Sequence, residues 1–152
     1  VDKNFYTFNG YIRNSENVLT ASMEDYIEMI YRLAKDKGFT RVNDLSQALN
    51  VQPPSTTKMI KKLSELKLAT YERYGVIILT DKGNKLGSFL LDRHNTIEKF
   101  LSILGVENTL LEETEKIEHV INDETLKCIK NFLILVYNNN NIKDEIDINN
   151  KK

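Results

Sequence analysis

Val51-Gln52-Pro53-Pro54-Ser55-Thr56-Thr57-Lys58-Met59-Ile60-Lys61-Lys62-Leu63-Ser64-Glu65-Leu66 is the stretch on which the fold turns. Asn50 to Pro54 read as a turn, and Pro54 suits the first turn of a helix, where a missing N–H costs nothing. Met59, Ile60, Leu63 and Leu66 then recur at helical spacing and predict a buried stripe. The opposite face carries Thr57, Lys58, Lys61 and Lys62. One short helix therefore has an apolar side to pack and a hydroxyl- and ammonium-rich side to display.

Upstream, Val42, Leu45, Ala48 and Leu49 predict a shorter helix with those residues inward. Before it, Met23, Tyr26, Ile27, Ile30 and Ala34 follow the i, i+3, i+4, i+7 pattern of an amphipathic helix ending at Gly38. Ser22 is the expected N-cap of that helix, with Glu24 and Asp25 in the first turn, where the helix dipole favours acids. Downstream the period changes. Ala69 to Tyr74 and Val76 to Leu79 are rich in β-branched and aromatic residues and read as two strands with Gly75 near their turn. Helix, helix-turn-helix and hairpin, in that order, make a winged helix with a two-stranded wing.

The second half is helical. Thr80-Asp81 opens a long helix to about Leu104, with Leu86, Leu90, Ile97, Phe100, Leu101 and Leu104 at helical spacing. Leu110 to Ile121 forms the next, and Asp123 to about Tyr137 the last. That last helix is apolar nearly all round and needs cover on more than one side, which a second copy of the chain would supply. The fold expected is mainly α: a winged-helix domain over residues 21–91, then an all-helical metal-binding and dimerisation domain over 92–137. Residues 1–20, with Phe5, Tyr6, Phe8 and Tyr11, are read as an N-terminal arm. The asparagine-rich residues 138–152 are read as a disordered tail.

Composition narrows the function. Hydrophobic residues make up 41% of 152, enough for a core and too many for wholesale disorder. No apolar run approaches the roughly 20 residues of a membrane-spanning helix. Val1 to Tyr11 lacks a signal-peptide pattern, so a cytoplasmic location is expected and no membrane partner. The single cysteine, Cys128, rules out an intrachain disulfide and a multi-cysteine zinc site. Lying in an apolar run, it is expected to be a buried structural thiol. The net charge of −1 conceals an asymmetry: Phe39 to Lys85 holds eight Lys/Arg against four Asp/Glu, whereas Glu107 to Glu124 holds seven acids against Lys116 alone. Charge runs are commonly just solvated faces, but a basic front and an acidic back fit two different tasks.

For the basic half the candidate task is reading double-stranded DNA. Ser55, Thr56, Thr57, Lys58, Lys61 and Lys62 offer groups that bind phosphates and base edges in a major groove. Gln52 stands in the preceding turn, at a helix N-terminus whose dipole can meet a phosphate. Arg73 and Tyr74 flank the hairpin tip, where a wing touches the backbone. The helix carries no arginine for bidentate guanine contact, so specificity leans on DNA shape, Gln52 and the hydroxyls.

For the acidic half the candidate task is metal binding. Asp25 and Glu28 share one helical face, as do Glu115, Glu118 and His119, and His94 lies mid-way along the long helix. Singly, each has an ordinary structural reading. Jointly they are four carboxylates and both of the chain's histidines, a hard-oxygen and nitrogen set that suits Mn2+ or Fe2+. Catalytic readings are poorer: paired Glu-x-x-His motifs, nucleotide-binding glycine loops, a nucleophile elbow and His-Glu-x-x-His are all missing. A metal-independent winged-helix regulator and a metal-dependent enzyme remain the alternatives at this point.

The chain resembles the diphtheria-toxin-repressor family of metalloregulators, in its short manganese-transport-regulator branch. The resemblance rests on Ser22 to Glu28, Val51 to Ser55 leading into Thr57-Lys58-Met59, Leu79 to Gly83, Arg93-His94, and Glu115 through Ile117-Glu118-His119. It implies that Asp25, Glu28, His94, Glu115, Glu118 and His119 form a binuclear metal site in a homodimeric, metal-activated repressor of metal-uptake genes. In the iron branch, methionine and cysteine replace Asp25 and Glu115, so the resemblance points to Mn2+, with Fe2+ also compatible. The SH3-like third domain common in the iron branch is not expected here. The segment between Gly105 and Glu115 is slightly shorter than the family pattern, and the wing glycine comes early.

Overall fold

The computed structural model describes residues 19–150. The expected arm, 1–20, lies almost wholly outside these residues. Helix α1 (Ala21–Ala34) is capped by Thr20, whose side chain accepts a hydrogen bond from the Met23 amide. This corrects the expected cap: Ser22 is already inside the helix, because the extended backbone that capping requires falls at Thr20. Strand β1 (Thr40–Arg41) leads into α2 (Val42–Ala48), and α3 (Pro53–Glu65) follows with both prolines in its first turn. Strands β2 (Ala69–Tyr71) and β3 (Val76–Leu79) pair antiparallel, with Ala69 opposite Leu79. The sheet has a third member, since β1 lies along the other edge of β3 with Thr40 opposite Ile77. Two residues are too few for an alternating pattern to show in a sequence.

The first core is made where these elements meet. Ile27 and Ile30 of α1, Leu45 of α2, Ile60 and Leu63 of α3, Ile77 of β3 and Leu90 are all fully buried. Each such side chain contributes about 1.5–3 kcal/mol relative to an exposed one. Ala48, expected inward, is exposed at the end of α2. The wing tip, Arg73–Gly75, is a tight 3-10 turn that holds Tyr74 at φ 60° and Gly75 at φ 72°.

Helix α4 (Asp81–Ile103) is long enough to serve both halves. Thr80 caps it, and its first turns cross α1 at Gly87, where an added Cβ would lie 2.6 Å from the Tyr31 Cβ. Further along, Ile97 and Leu101 join Leu126 in a second core. Helices α5 (Leu110–Glu118) and α6 (Asp123–Tyr137) complete that layer, with Asn122 capping α6. Leu126, Ile129, Leu133 and Val136 of α6 face inward, whereas Ile134, Leu135 and Tyr137 are each more than half exposed. Cys128 is exposed too, which corrects the expectation of a buried thiol: it precedes inward-facing Ile129 by one residue, about 100° round the helix.

The expected disordered tail is also corrected. Helix α7 (Asn140–Asn150) forms there, and the Asn150 side-chain amide donates to the Ile103 carbonyl at 3.0 Å. Its asparagines mask Ile142 and Ile146, spaced i, i+4, and Ile146 lines a small cleft with Ile103 and Val136. No helix among the described residues is long and apolar enough to cross a membrane.

Candidate metal centre and DNA-reading surface

The α1 periodicity that buries Ile27 and Ile30 turns Asp25 and Glu28 toward α4 and α5. Helix α5 ends at Glu118, so His119 is its C-cap residue, and α4 supplies His94. Ligand atoms of Glu28, His94 and Glu118 lie within 4.8 Å of one another, as do those of Asp25, Glu115, Glu118 and His119. All six residues named from the sequence thus meet in two adjoining clusters that share Glu118. His94 Nδ1 is 2.8 Å from Glu118 Oε2, 3.5 Å from Glu115 Oε1 and 3.9 Å from Glu28 Oε1. His119 Nε2 is 2.8 Å from Asp25 Oδ1 and 3.7 Å from Glu118 Oε1. The shorter lead-in to α5 still delivers Glu115 to the cluster.

The electrostatics are those of crowded carboxylates. Burial, then the Glu118 charge, raises the pKa of Glu28, against the opposing pull of Arg32, which donates to Glu28 Oε1. Glu115 is raised by burial and by Glu118. His94 is raised by its hydrogen bond to Glu118, against burial. His119 is pushed up to about 10 by hydrogen bonds to Asp25 and Glu24, so without a metal it is a cation bridging two acids. Glu118 is fully buried, yet its Oε1 has no hydrogen-bond partner. A buried carboxylate oxygen left unpaired is expensive unless a cation answers it. With carboxylate oxygens and imidazole nitrogens around it, this donor set fits a hard or borderline divalent ion.

Three residues of this region were not singled out as site members from the sequence. Glu24 Oε2 lies 2.6 Å from His119 Nδ1 and 2.7 Å from Arg93 Nη2. Glu98 Oε2 lies 3.2 Å from His94 Nε2. Helical spacing relates Glu98 to His94, but only tertiary approach brings Glu24 and Arg93 to His119. Burial opposes ionisation of Glu24, but its hydrogen bonds to His119 and Arg93 leave the carboxyl below the ordinary range.

On the reading face, Gln52, Ser55, Lys58, Lys61 and Lys62 are exposed, Thr57 is half-buried, and Arg73 is exposed on the wing. Thr56 departs from this set and is corrected. It is fully buried, and its hydroxyl accepts from Ser46 Oγ at 2.9 Å and lies 3.5 Å from Tyr26 Oη. It knits α1, α2 and α3 together and cannot reach a phosphate. Arg41, which the sequence reading passed over, is exposed and lines a cleft with Tyr71 and Tyr74 beside the wing.

A helix-turn-helix with a wing, joined through one long helix to a carboxylate and histidine cluster, defines the class of metal-responsive DNA-binding regulators. Residues 18–77 match the iron dependent repressor N-terminal DNA binding domain, and residues 80–137 match the iron dependent repressor metal binding and dimerisation domain. The chain belongs to the iron dependent repressor family of metal-dependent transcriptional regulators. It is 46% identical over 111 residues to the HTH-type transcriptional regulator MntR of Shouchella clausii, covering 72% of this chain and 78% of that protein. Among solved structures it is similar to T. acidophilum IdeR, with a TM-score of 0.65 and 29% identity over 77% of this chain. It is similar also to the manganese regulator SloR, with a TM-score of 0.66 and 29% identity over 76% of this chain. The chain spans 55% of the length of that IdeR chain and 54% of the SloR chain.

Proposed function

We propose that this chain is a cytoplasmic, homodimeric, manganese-responsive repressor of metal-uptake genes, in which Asp25, Glu28, His94, Glu115, Glu118 and His119 hold two divalent ions per subunit. The observation that carries this reading is the pair of clusters sharing Glu118, built from one helix of the DNA-reading half and two of the helical half. The lack of a cysteine thiolate in either cluster favours Mn2+, as does the likeness to proteins named MntR and manganese regulator. Fe2+ is also accommodated by such a set. Bound cations would supply positive charge that cancels the mutual repulsion of these carboxylates.

The chain's own residues do the rest. Asp25 and Glu28 are fixed on α1, which packs directly against the helix-turn-helix, so whatever holds them against α4 and α5 also restrains the reader. Ile134, Leu135 and Tyr137 leave an apolar face on α6 that a second subunit would cover. In a dimer, two restrained α3 helices can meet successive major grooves about 34–36 Å apart. Gln52, Ser55, Thr57, Lys58, Lys61, Lys62 and Arg73 make the contacts. Metal then acts by differential affinity for the reading-competent arrangement. The carboxylates are assigned to regulation rather than turnover because the same chain displays a basic reading helix and a wing.

The test is fluorescence anisotropy of duplex DNA from upstream of metal-uptake genes, with Mn2+ and with chelator. Tight binding only with Mn2+ is expected, and equal binding in both removes the metal switch. Glu118→Ala should lose the Mn2+ response and keep its dimeric mass. A retained response removes Glu118 from the site.

A further inference from the structure

His119 has two ring nitrogens and only one can face the cluster. As the C-cap residue of α5, with the chain turning away at Val120, its ring orientation is not dictated by the body of a helix. What fixes it is outside the cluster: Nδ1 is 2.6 Å from Glu24 Oε2, which leaves Nε2 toward Asp25 and Glu118. Glu24 is itself held, since Arg93 Nη2 donates to the same oxygen at 2.7 Å. Arg93 Nη2 also lies 3.4 Å from His119 Nδ1, but that nitrogen donates when it carries the proton shared with Glu24. The three side chains come from α1, α4 and α5, and none is more than 14% exposed.

The ordinary account of Glu24 is an acid compensating the dipole in the first turn of α1. That account does not explain its neighbours. Dipole compensation needs no partner, yet here a guanidinium is buried beside the carboxylate with its Nε left without a hydrogen bond. A buried ion pair with an unmet donor is a poor source of stability. It is, however, a rigid way to aim an imidazole, because a histidine that donates one N–H to a carboxylate presents its other nitrogen as a ligand.

We propose that Glu24, braced by Arg93, is a positioning residue that orients His119 so that Nε2 faces the Asp25 and Glu118 carboxylates. This rests on the reading of the cluster as a divalent-ion site. The same trio ties the first helix of the DNA-reading half to α4 and to the end of α5 through contacts outside the ion-binding atoms.

The test uses the full chain, with Mn2+ as the probe in calorimetric titrations of the wild type, Glu24→Ala and Glu24→Gln. Far-UV circular dichroism and gel filtration check that all three share one fold and mass. Glu24→Ala should weaken Mn2+ binding by about 10–100-fold. Glu24→Gln still accepts a hydrogen bond from Nδ1–H and should stay within about threefold of the wild type. In Zn2+-loaded, 15N-labelled protein the wild type should show His119 protonated at Nδ1 and ligated through Nε2, and Glu24→Ala should lose that single pattern. The proposal is overturned if Glu24→Ala binds Mn2+ as the wild type does, if its His119 signals are unchanged, or if Glu24→Gln is as weak as Glu24→Ala. A wild type that takes up no Mn2+ overturns the ion-site reading, and with it this one.

Discussion

His119 Nε2 lies 2.8 Å from Asp25 Oδ1, joining residues 94 positions apart in the chain. Asp25 and Glu24 push the pKa of His119 up to about 10, and Glu118 and Arg93 also face the ring. A divalent ion at Nε2 requires the neutral ring. Mn2+ uptake at neutral pH should therefore release protons, and apparent affinity should strengthen as pH rises. Calorimetry in buffers of different ionisation enthalpy reads this directly, and heats independent of buffer would refute it.

The same shift governs the metal-free molecule. The folded value lies above the unfolded value of about 6.5, so the stability His119 contributes is complete below about pH 6.5 and is lost as pH rises toward 10. Thermal melting with chelator present should fall across that window, and His119→Gln should flatten the decline. A variant as pH-sensitive as the wild type would place the effect elsewhere.

Thr56 is a structural residue in the middle of a reading helix. Thr56→Val keeps its shape and removes the hydroxyl that Ser46 donates to. A cost of about 1 kcal/mol in denaturant unfolding is expected, with the salt dependence of DNA binding unaltered. A changed salt slope with unchanged stability would return Thr56 to the DNA contacts.

Lys61 is exposed on the same helix, one residue after fully buried Ile60. Lys61→Ala should weaken binding to all duplexes alike and reduce the slope of log K against log salt by about 1. Loss confined to one sequence would instead mark a base contact.

Gly87 sets the distance between α1 and α4, because a Cβ there would lie 2.6 Å from the Tyr31 Cβ and 2.9 Å from its Cγ. Gly87→Ala should destabilise the fold by about 1–3 kcal/mol. It should also weaken Mn2+ binding, since Asp25 and Glu28 ride on the displaced helix while His94 does not. Unchanged affinity in a destabilised variant would show that the cluster absorbs the shift.

Much of this was legible in the sequence, for identifiable reasons. Ile27, Ile30, Ile60 and Leu63 betray their helices because burial repeats with the helical period. Asp25 and Glu28, or Glu115 and Glu118, share a face for the same reason, and the family resemblance joined those faces into one cluster. Glu24 and Arg93 obey no such rule: 69 residues separate them, and only the approach of α1 to α4 makes them partners. Thr56 was misread because a hydroxyl looks alike whether it meets a phosphate or Ser46. The Asn140–Asn150 helix was obscured by polar composition, although Ile142 and Ile146 mark its stripe. Cys128 was misjudged by averaging over an apolar run whose individual members point in different directions.

Glu118 belongs to both clusters, offering Oε2 toward His94 and Oε1 toward His119. On the two-ion reading, the positions cannot then fill as independent binders. The first occupant would freeze the rotamer of the shared side chain and remove its repulsion from Glu28 and Glu115, easing entry of the second. Occupancy would climb more steeply than simple saturation allows, giving the cell a threshold rather than a gradual dial.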